Sequence, residues 1–435
     1  MTADAGLTSR TEDEVVELCR DLIRIDTSNP TSNERLAAEF VAAKLTDAGL
    51  SPQVFESAPG RASVVARWSG EDSSRPALLV HGHTDVVPAD PGDWRVDPFA
   101  GEIRDECLWG RGAVDMKDMD AMVLTVVADW ARQGRRPPRD VVLAFLADEE
   151  AGGMFGARFL VDEHADLFEG CTEAISEVGG FSINVAGRRL YAIQTAEKGM
   201  AWLKLVATGR AGHGSMLNDD NAVTAVAEAT ARLGRHRFPV ELTPSAEAFL
   251  RELCDALDIE FDPDDVETAL AKLGPLAKMV GASLRHTANP TMLDAGYKHN
   301  VIPQRATAAI DCRFLPGGEE RFLEELSRVV GPDVAIEMVH QDIALETTFD
   351  GDVVDAMKSA IVAEDPEGRP VPYCMSGGTD GKHFARLGIR CFGFSPLRLP
   401  PDLDFGGMFH GVDERVPLDG LRFGARVLSR FLAEA

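Results

Sequence analysis

The stretch Ala77-Leu78-Leu79-Val80-His81-Gly82-His83-Thr84-Asp85 constrains this chain more than any other. Its four leading apolar residues, with Pro88 closing the segment, predict a short buried strand. Polar groups at the carboxyl end of such a strand lie where an open α/β sheet places its chemistry. His83 and Asp85 are two apart, so on a strand they face the same side. A metal-bound imidazole usually has its second ring nitrogen held by a carboxylate, which Asp85 is placed to supply. Taken alone, the pair fits a hydrogen-bonded strand-end histidine equally well.

The surrounding chain alternates strand and helix. Thr11-Glu12-Asp13-Glu14 has the form of a capping box, with Val15, Leu18, Leu22 and Ile23 following at helical spacing. Asn29-Pro30 breaks that helix. A second is expected from near Ser32 to Gly49, with Leu36, Phe40, Val41 and Leu45 on one face. Residues 62–68 and 77–81 read as strands, 102–109 as a strand or hairpin, 116–130 as a buried helix and 141–146 as another buried strand. This alternation predicts an α/β fold whose sheet is mixed, largely parallel and flanked by helices.

After residue 199 the character changes. Strands at 201–207, 301–314 and 333–338 and helices at 219–235 and 319–330 read as a small α+β layer inserted into the first domain. Residues 238–289 are longer than such a layer requires and carry two expected helices, 247–257 and 265–273, so they are folded. The expected division is a catalytic domain formed by 1–196 and 342–435, and an insert at 197–341; 435 residues are enough for both.

Four more polar clusters sit at strand ends or glycine-rich turns. Asp115 follows Gly110-Arg111-Gly112, Asp148-Glu149-Glu150 follow the 141–146 strand, Glu177 precedes Gly179-Gly180, and His410 lies in Phe409-His410-Gly411-Val412-Asp413-Glu414-Arg415. Successive carboxylates repel one another unless a cation lies among them, and no Lys or Arg is close to 148–150 in sequence. Two histidines with several carboxylates suit zinc or a similar divalent ion. One carboxylate bridging two ions about 3.5–4 Å apart, with a His and another carboxylate on each, would use His83, Asp115, Glu150, Glu177 and His410. A neighbouring carboxylate that is not a ligand can take a proton from the attacking water.

In order, the motifs HGHTDVVP, WGRGAVDMK, ADEE, SEVGG and FHGVDER resemble those of the aminoacylase and carboxypeptidase-G family of co-catalytic zinc hydrolases, which includes acetylornithine deacetylase, succinyl-diaminopimelate desuccinylase and several dipeptidases. The resemblance runs from about Val15 to the C-terminus. It implies a zinc-peptidase fold with an inserted lid, often the dimerisation domain, and two Zn2+ per subunit, with Co2+ or Mn2+ as substitutes. His83 and Glu177 would bind one ion, Glu150 and His410 the other, and Asp115 would bridge them. Asp85 would orient His83, and Glu149 would act as general base and then acid. The resemblance also implies that His213 stabilises the developing oxyanion, often in the partner subunit's site, and that Asn300 and Arg313 hold polar groups of the substrate. The Arg313 fork suits a carboxylate, with a salt bridge to Asp311 as the alternative. The glycine-rich loop 376–382, around Gly378, would lie near the substrate carboxylate. Two residues depart from the family pattern: Asp118 stands where glycine is usual and Lys382 where arginine is common. His81 is expected to buttress the metal shell.

The implied function is two-metal hydrolysis of an amide bond beside a free carboxylate, in an N-acyl-L-amino acid or dipeptide. A dedicated biosynthetic deacylase of acetylornithine or succinyl-diaminopimelate is the alternative, and a metal-free binding protein a more distant one. A formal net charge of -27 argues against nucleic acid as a partner. Residues 1–10 show no secretory pattern, and no apolar run is long enough to span a bilayer. Seven scattered cysteines without CxxC spacing predict reduced thiols in a cytoplasmic protein. The expected partners are a small molecule or short peptide with a free carboxylate and a second copy of the chain bound through the lid. The 238–289 segment would strengthen that interface or cover the site, and hinge motion is expected near 197 and 341.

Overall fold

The computed structural model describes residues 7, 9–31, 33–274 and 276–435. The expected helix start at Ser32 and most of the N-terminal segment read for a leader lie outside the described residues. The chain forms two compact units. One comprises the residues up to Thr195 with Thr347–Tyr373 and Thr379–Ala435, the other Ala196–Glu346 with Cys374–Gly378.

The first unit is built on a mixed sheet with a parallel centre. Its central strands, in spatial order, are Val141–Leu146, Ala77–His83, Cys171–Ser176 and Arg390–Gly393, all parallel. Arg61–Trp68 and then Gln53–Ala58 extend one side antiparallel, and Arg188–Glu197 extends the other. Leu78 and Val80 face a core shared with helices Ser9–Ile23, Lys117–Gln133 and Leu418–Glu434, where Leu22, Met122, Trp130 and Phe431 are buried. Leu79 faces the other way, onto Leu160 of helix Ala157–Glu163 and Phe384 of helix Gly381–Ala385. Helices on both faces explain why this strand is apolar without alternation. It runs to His83, two residues beyond the expected end, and His83 lies opposite Leu146. The polar residues after both strands therefore emerge side by side.

Helix Glu34–Asp47 differs from its expected stripe. Ala37, Ala38, Val41 and Leu45 are buried, whereas Leu36 is 56% exposed. Small alanines form the contact face because the helix packs closely on strand Arg61–Trp68.

The second unit is a four-stranded antiparallel sheet ordered Thr287–Ala295, Arg305–Phe314, Gly199–Thr208, Ala335–Asp342. Helices Ala222–Arg235 and Glu319–Val330 bury Val226, Leu233, Phe322 and Leu326 against Leu203, Leu205, Ile310 and Phe314 on one face. The expected 301–314 strand is broken after Ile302, where Pro303 removes a ladder donor. Strand Thr287–Ala295 was not anticipated; it carries Pro290 beside a register shift, tolerable because the strand is an edge. Three further helices, Pro244–Ala256, Val266–Lys272 and Leu276–Ser283, fill the long segment before it. The buried Lys198 ammonium ties the last of them to the sheet, donating to the carbonyls of Ala282 (3.2 Å) and Arg285 (2.7 Å) and to Thr287 Oγ1 (3.2 Å). Among the described residues no helix is long and apolar enough to cross a membrane.

Candidate metal centre

Five segments of the first unit bring their polar residues together. His83 ends its strand, Glu149 and Glu150 lie on a single 3-10 turn (Glu149–Ala151) just after theirs, and Glu177 directly follows Cys171–Ser176. Asp115 precedes helix Lys117–Gln133, and His410 lies on the loop before strand Arg415–Pro417. His83 Nε2 is 3.2 Å from Asp115 Oδ1 and 3.4 Å from Glu177 Oε2. His410 Nε2 is 3.4 Å from Asp115 Oδ2 and 3.0 Å from Glu150 Oε2. Asp115 thus turns one oxygen to each histidine, with a different glutamate beside each. Glu149 offers an oxygen to the group formed by His83 and Glu177.

The donor set fits divalent ions. The Nδ1 of His83 lies 3.0 Å from the main-chain carbonyl of Asp85, which can only accept, so that nitrogen carries the proton and Nε2 is presented to the carboxylates. Glu150 Oε1 is buried and has no hydrogen-bond partner among the described residues. Charge crowding is severe: burial and the neighbouring Glu177 push the Glu149 carboxyl well above the ordinary range. Burial and Asp115 raise Glu150 to about 7. In compensation, hydrogen bonds to Asp115 and Glu150 raise His410 to about 10. Burial opposes the charged form of His83, but Glu177, Asp115 and Asp85 outweigh it and hold the imidazole well above its usual value. Divalent cations among these groups would relieve the same repulsion.

Asp85 does more than face His83. Its carboxylate lies 3.5 Å from His83 Nδ1 and also accepts the backbone N–H groups of Glu149 (3.0 Å) and Glu150 (3.1 Å) and the side-chain amide of Asn29. Arg61 continues the network, donating to Asn29 and Glu34 and lying 3.3 Å from Asp148. Sequence reading missed Asn29, Arg61 and Glu34 because their partners are distant in the chain. The buried His81 ring packs on Phe384 with centroids 4.7 Å apart, and neither of its nitrogens finds a hydrogen-bond partner among the described residues.

The residues expected to hold substrate lie in the second unit. His213 is exposed and hydrogen-bonds Ser215 Oγ at 2.8 Å. Asn300 is exposed, and its carbonyl accepts Gly214 N–H at 2.9 Å. The Arg313 fork rests on Asp311 at 2.7 and 3.0 Å, the salt bridge that was the alternative. Gly378 is partly exposed and groups with this unit, whereas Lys382 belongs to the first and is buried. Asp118 is buried in the first unit, with Oδ1 lacking a partner.

The fold and its relatives define a metallohydrolase of amide or peptide bonds. The sequence pattern of peptidase family M20/M25/M40 matches residues 79–434, and the chain belongs to that family. It is 31% identical over 378 residues to a Dictyostelium discoideum protein named "Probable carboxypeptidase S-like 2", covering 82% of this chain and 71% of that one. It is 27% identical to aminoacylase-1 of Sus scrofa, covering 92% and 90% of the two chains. In three dimensions it is similar to the M20 family metallo-carboxypeptidase Sso-CP2 of Sulfolobus solfataricus, with a TM-score of 0.76, 20% identity and coverage of 97% and 99%.

Proposed function

We propose that this chain is a two-metal hydrolase that cleaves the amide bond beside a free carboxylate, in an N-acyl-L-amino acid or a dipeptide. The observation that carries this reading is the division of Asp115 between His83 and His410, each with its own glutamate, while Glu149 stands beside the first group. His83 and Glu177 would hold one ion, Glu150 and His410 the other, and Asp115 both. The nitrogen and oxygen donors favour zinc, with cobalt or manganese able to substitute. Bound ions would supply Lewis-acid activation of water and of the substrate carbonyl.

The chain's own groups do the rest. Glu149, held by the Asp85 contact to its backbone N–H, takes the proton of the attacking water and returns it to the leaving amine. A high affinity for protons in the ion-free chain suits a group that must hold one during the reaction. The second unit serves as a lid and dimerisation element. His213 stabilises the oxyanion, Asn300 and the loop at Gly378 bind polar groups, and Arg313 exchanges Asp311 for the substrate carboxylate. Among the described residues no cysteine is in a disulfide, which suits a reducing, cytoplasmic compartment.

The test is Glu149→Gln, assayed with zinc, cobalt and manganese on N-acyl amino acids and dipeptides, including acetylornithine and succinyl-diaminopimelate. The variant should keep its bound metal and lose about 10²- to 10⁴-fold in turnover, the range of general acid–base catalysis. Activity near that of the parent would remove Glu149 from the mechanism. Activity confined to one biosynthetic intermediate would replace the broad substrate class with a dedicated one.

A further inference from the structure

The loop that carries His410 is held by turns and side-chain contacts, without a ladder or helix at the ligand itself. The His410 side chain is 58% exposed and its backbone lies at φ 58°, outside any helix or strand. Four residues later, Glu414 is completely buried and receives four donors. Its Oε1 accepts the N–H groups of Val114 (2.8 Å) and Asp115 (3.3 Å), and its Oε2 those of Gly112 (3.1 Å) and Arg111 Nη1 (2.6 Å). The second arm of Arg111 reaches back to the carbonyl of Gly411 at 2.8 Å, next to His410. The Arg111 guanidinium lies over the ring of Trp94 at 5.2 Å, which fixes the plane of the fork.

One carboxylate thus gathers the turn that presents Asp115, and one guanidinium ties that carboxylate to the chain beside His410. We infer that Glu414 and Arg111 are positioning residues that hold Asp115 and His410 in register, so that the ion between these two ligands depends on side chains that touch neither ion. The inference rests on the two-ion reading above. A buried ion pair is a weak source of stability compared with apolar packing, but a strong one of geometry. The pair joins residues about 300 positions apart in sequence, where the two ligand loops have no continuous element in common. The His410 side of the centre inherits its position from this clamp, whereas His83 and Glu177 sit at ends of parallel strands in one sheet.

Two variants test it. Arg111→Lys keeps the charge beside Glu414, but a single ammonium lacks the fork that serves both Glu414 and Gly411. Glu414→Gln keeps the shape and removes one acceptor. Each is stripped with chelator and titrated with zinc by calorimetry, alongside the parent and with circular dichroism as a check on folding. Both ions share Asp115, so the first equivalent should weaken slightly and the second, which also needs His410, by about 10- to 100-fold, the usual loss when a group behind a metal ligand is changed. If Glu414→Gln does not fold, Arg111→Lys decides. Parent-like affinity at both sites, or equal weakening of both, overturns the inference. A parent that binds fewer than two ions overturns the two-ion reading and this inference with it.

Discussion

Asp85 shows how far one carboxylate can organise a centre. Its two oxygens hold the backbone of Glu149 and Glu150, while its carbonyl fixes the tautomer of His83. Asp85→Asn turns one acceptor into a donor facing another donor, so both ions should bind about 10- to 100-fold more weakly and turnover should fall. Metal affinity equal to the parent's in a zinc titration would show that the backbone contacts are dispensable. The same crowding makes a prediction about pH. Glu150, near 7 when folded against an ordinary 4.5, and His410, near 10 against 6.5, bind more protons folded than unfolded. Stability of the chelator-stripped protein should therefore be greatest at low pH within this window and fall as pH rises from about 4.5 to 10. Thermal melts across that range should show the decline, and added zinc should remove most of it; a flat profile would mean the centre is not so crowded. At this scale the ligand candidates were legible because each lies in its own short motif at a strand end or turn. Glu414, Arg61 and Asn29 were not, since nothing local distinguishes a carboxylate that will meet Gly112, Val114 and Asp115 from one that will meet water.

Helices with one buried face and strands with two were the readable elements. Helix Glu319–Val330 has the limits its spacing predicts because one face is buried against the sheet, and Val141–Leu146 likewise because a strand covered on both faces is apolar throughout. Phe322, fully buried between that helix and the sheet, should cost about 3–5 kcal/mol on replacement by alanine, as read from denaturant unfolding of the second unit's transition. Strand Thr287–Ala295 was unreadable for the opposite reason: it is an edge, mostly exposed, and interrupted by Pro290. Its exposed Met292 (70%) and Leu293 (59%) make an edge that an isolated chain would keep charged or covered. We propose that a second copy pairs along this edge and covers it. Leu293→Lys should halve the mass measured by light scattering at micromolar concentration; an unchanged dimer would move the interface elsewhere.

For the molecule as a whole, the change from α/β to α+β character after residue 199 was visible as a change of pattern, because an antiparallel sheet covered on one face alternates and a parallel one covered on both does not. The return of the chain through Cys374–Gly378 was not visible, since two residues at a strand's end and three of the glycine-rich loop after it carry no periodicity of their own. If the second unit is a lid, a product-like carboxylate should make the X-ray scattering profile of the zinc-loaded enzyme more compact; superimposable profiles would argue for a fixed arrangement. That short return has a further meaning. A unit assembled from Ala196–Glu346 and Cys374–Gly378 cannot be gained, lost or exchanged by one clean cut of the gene. Joining 195 to 347 would leave five of its residues behind, in the loop that runs on to Thr379 and Asp380. Recombination between relatives would then preserve the pairing of hydrolytic core and second unit, and the two would diversify by substitution in place.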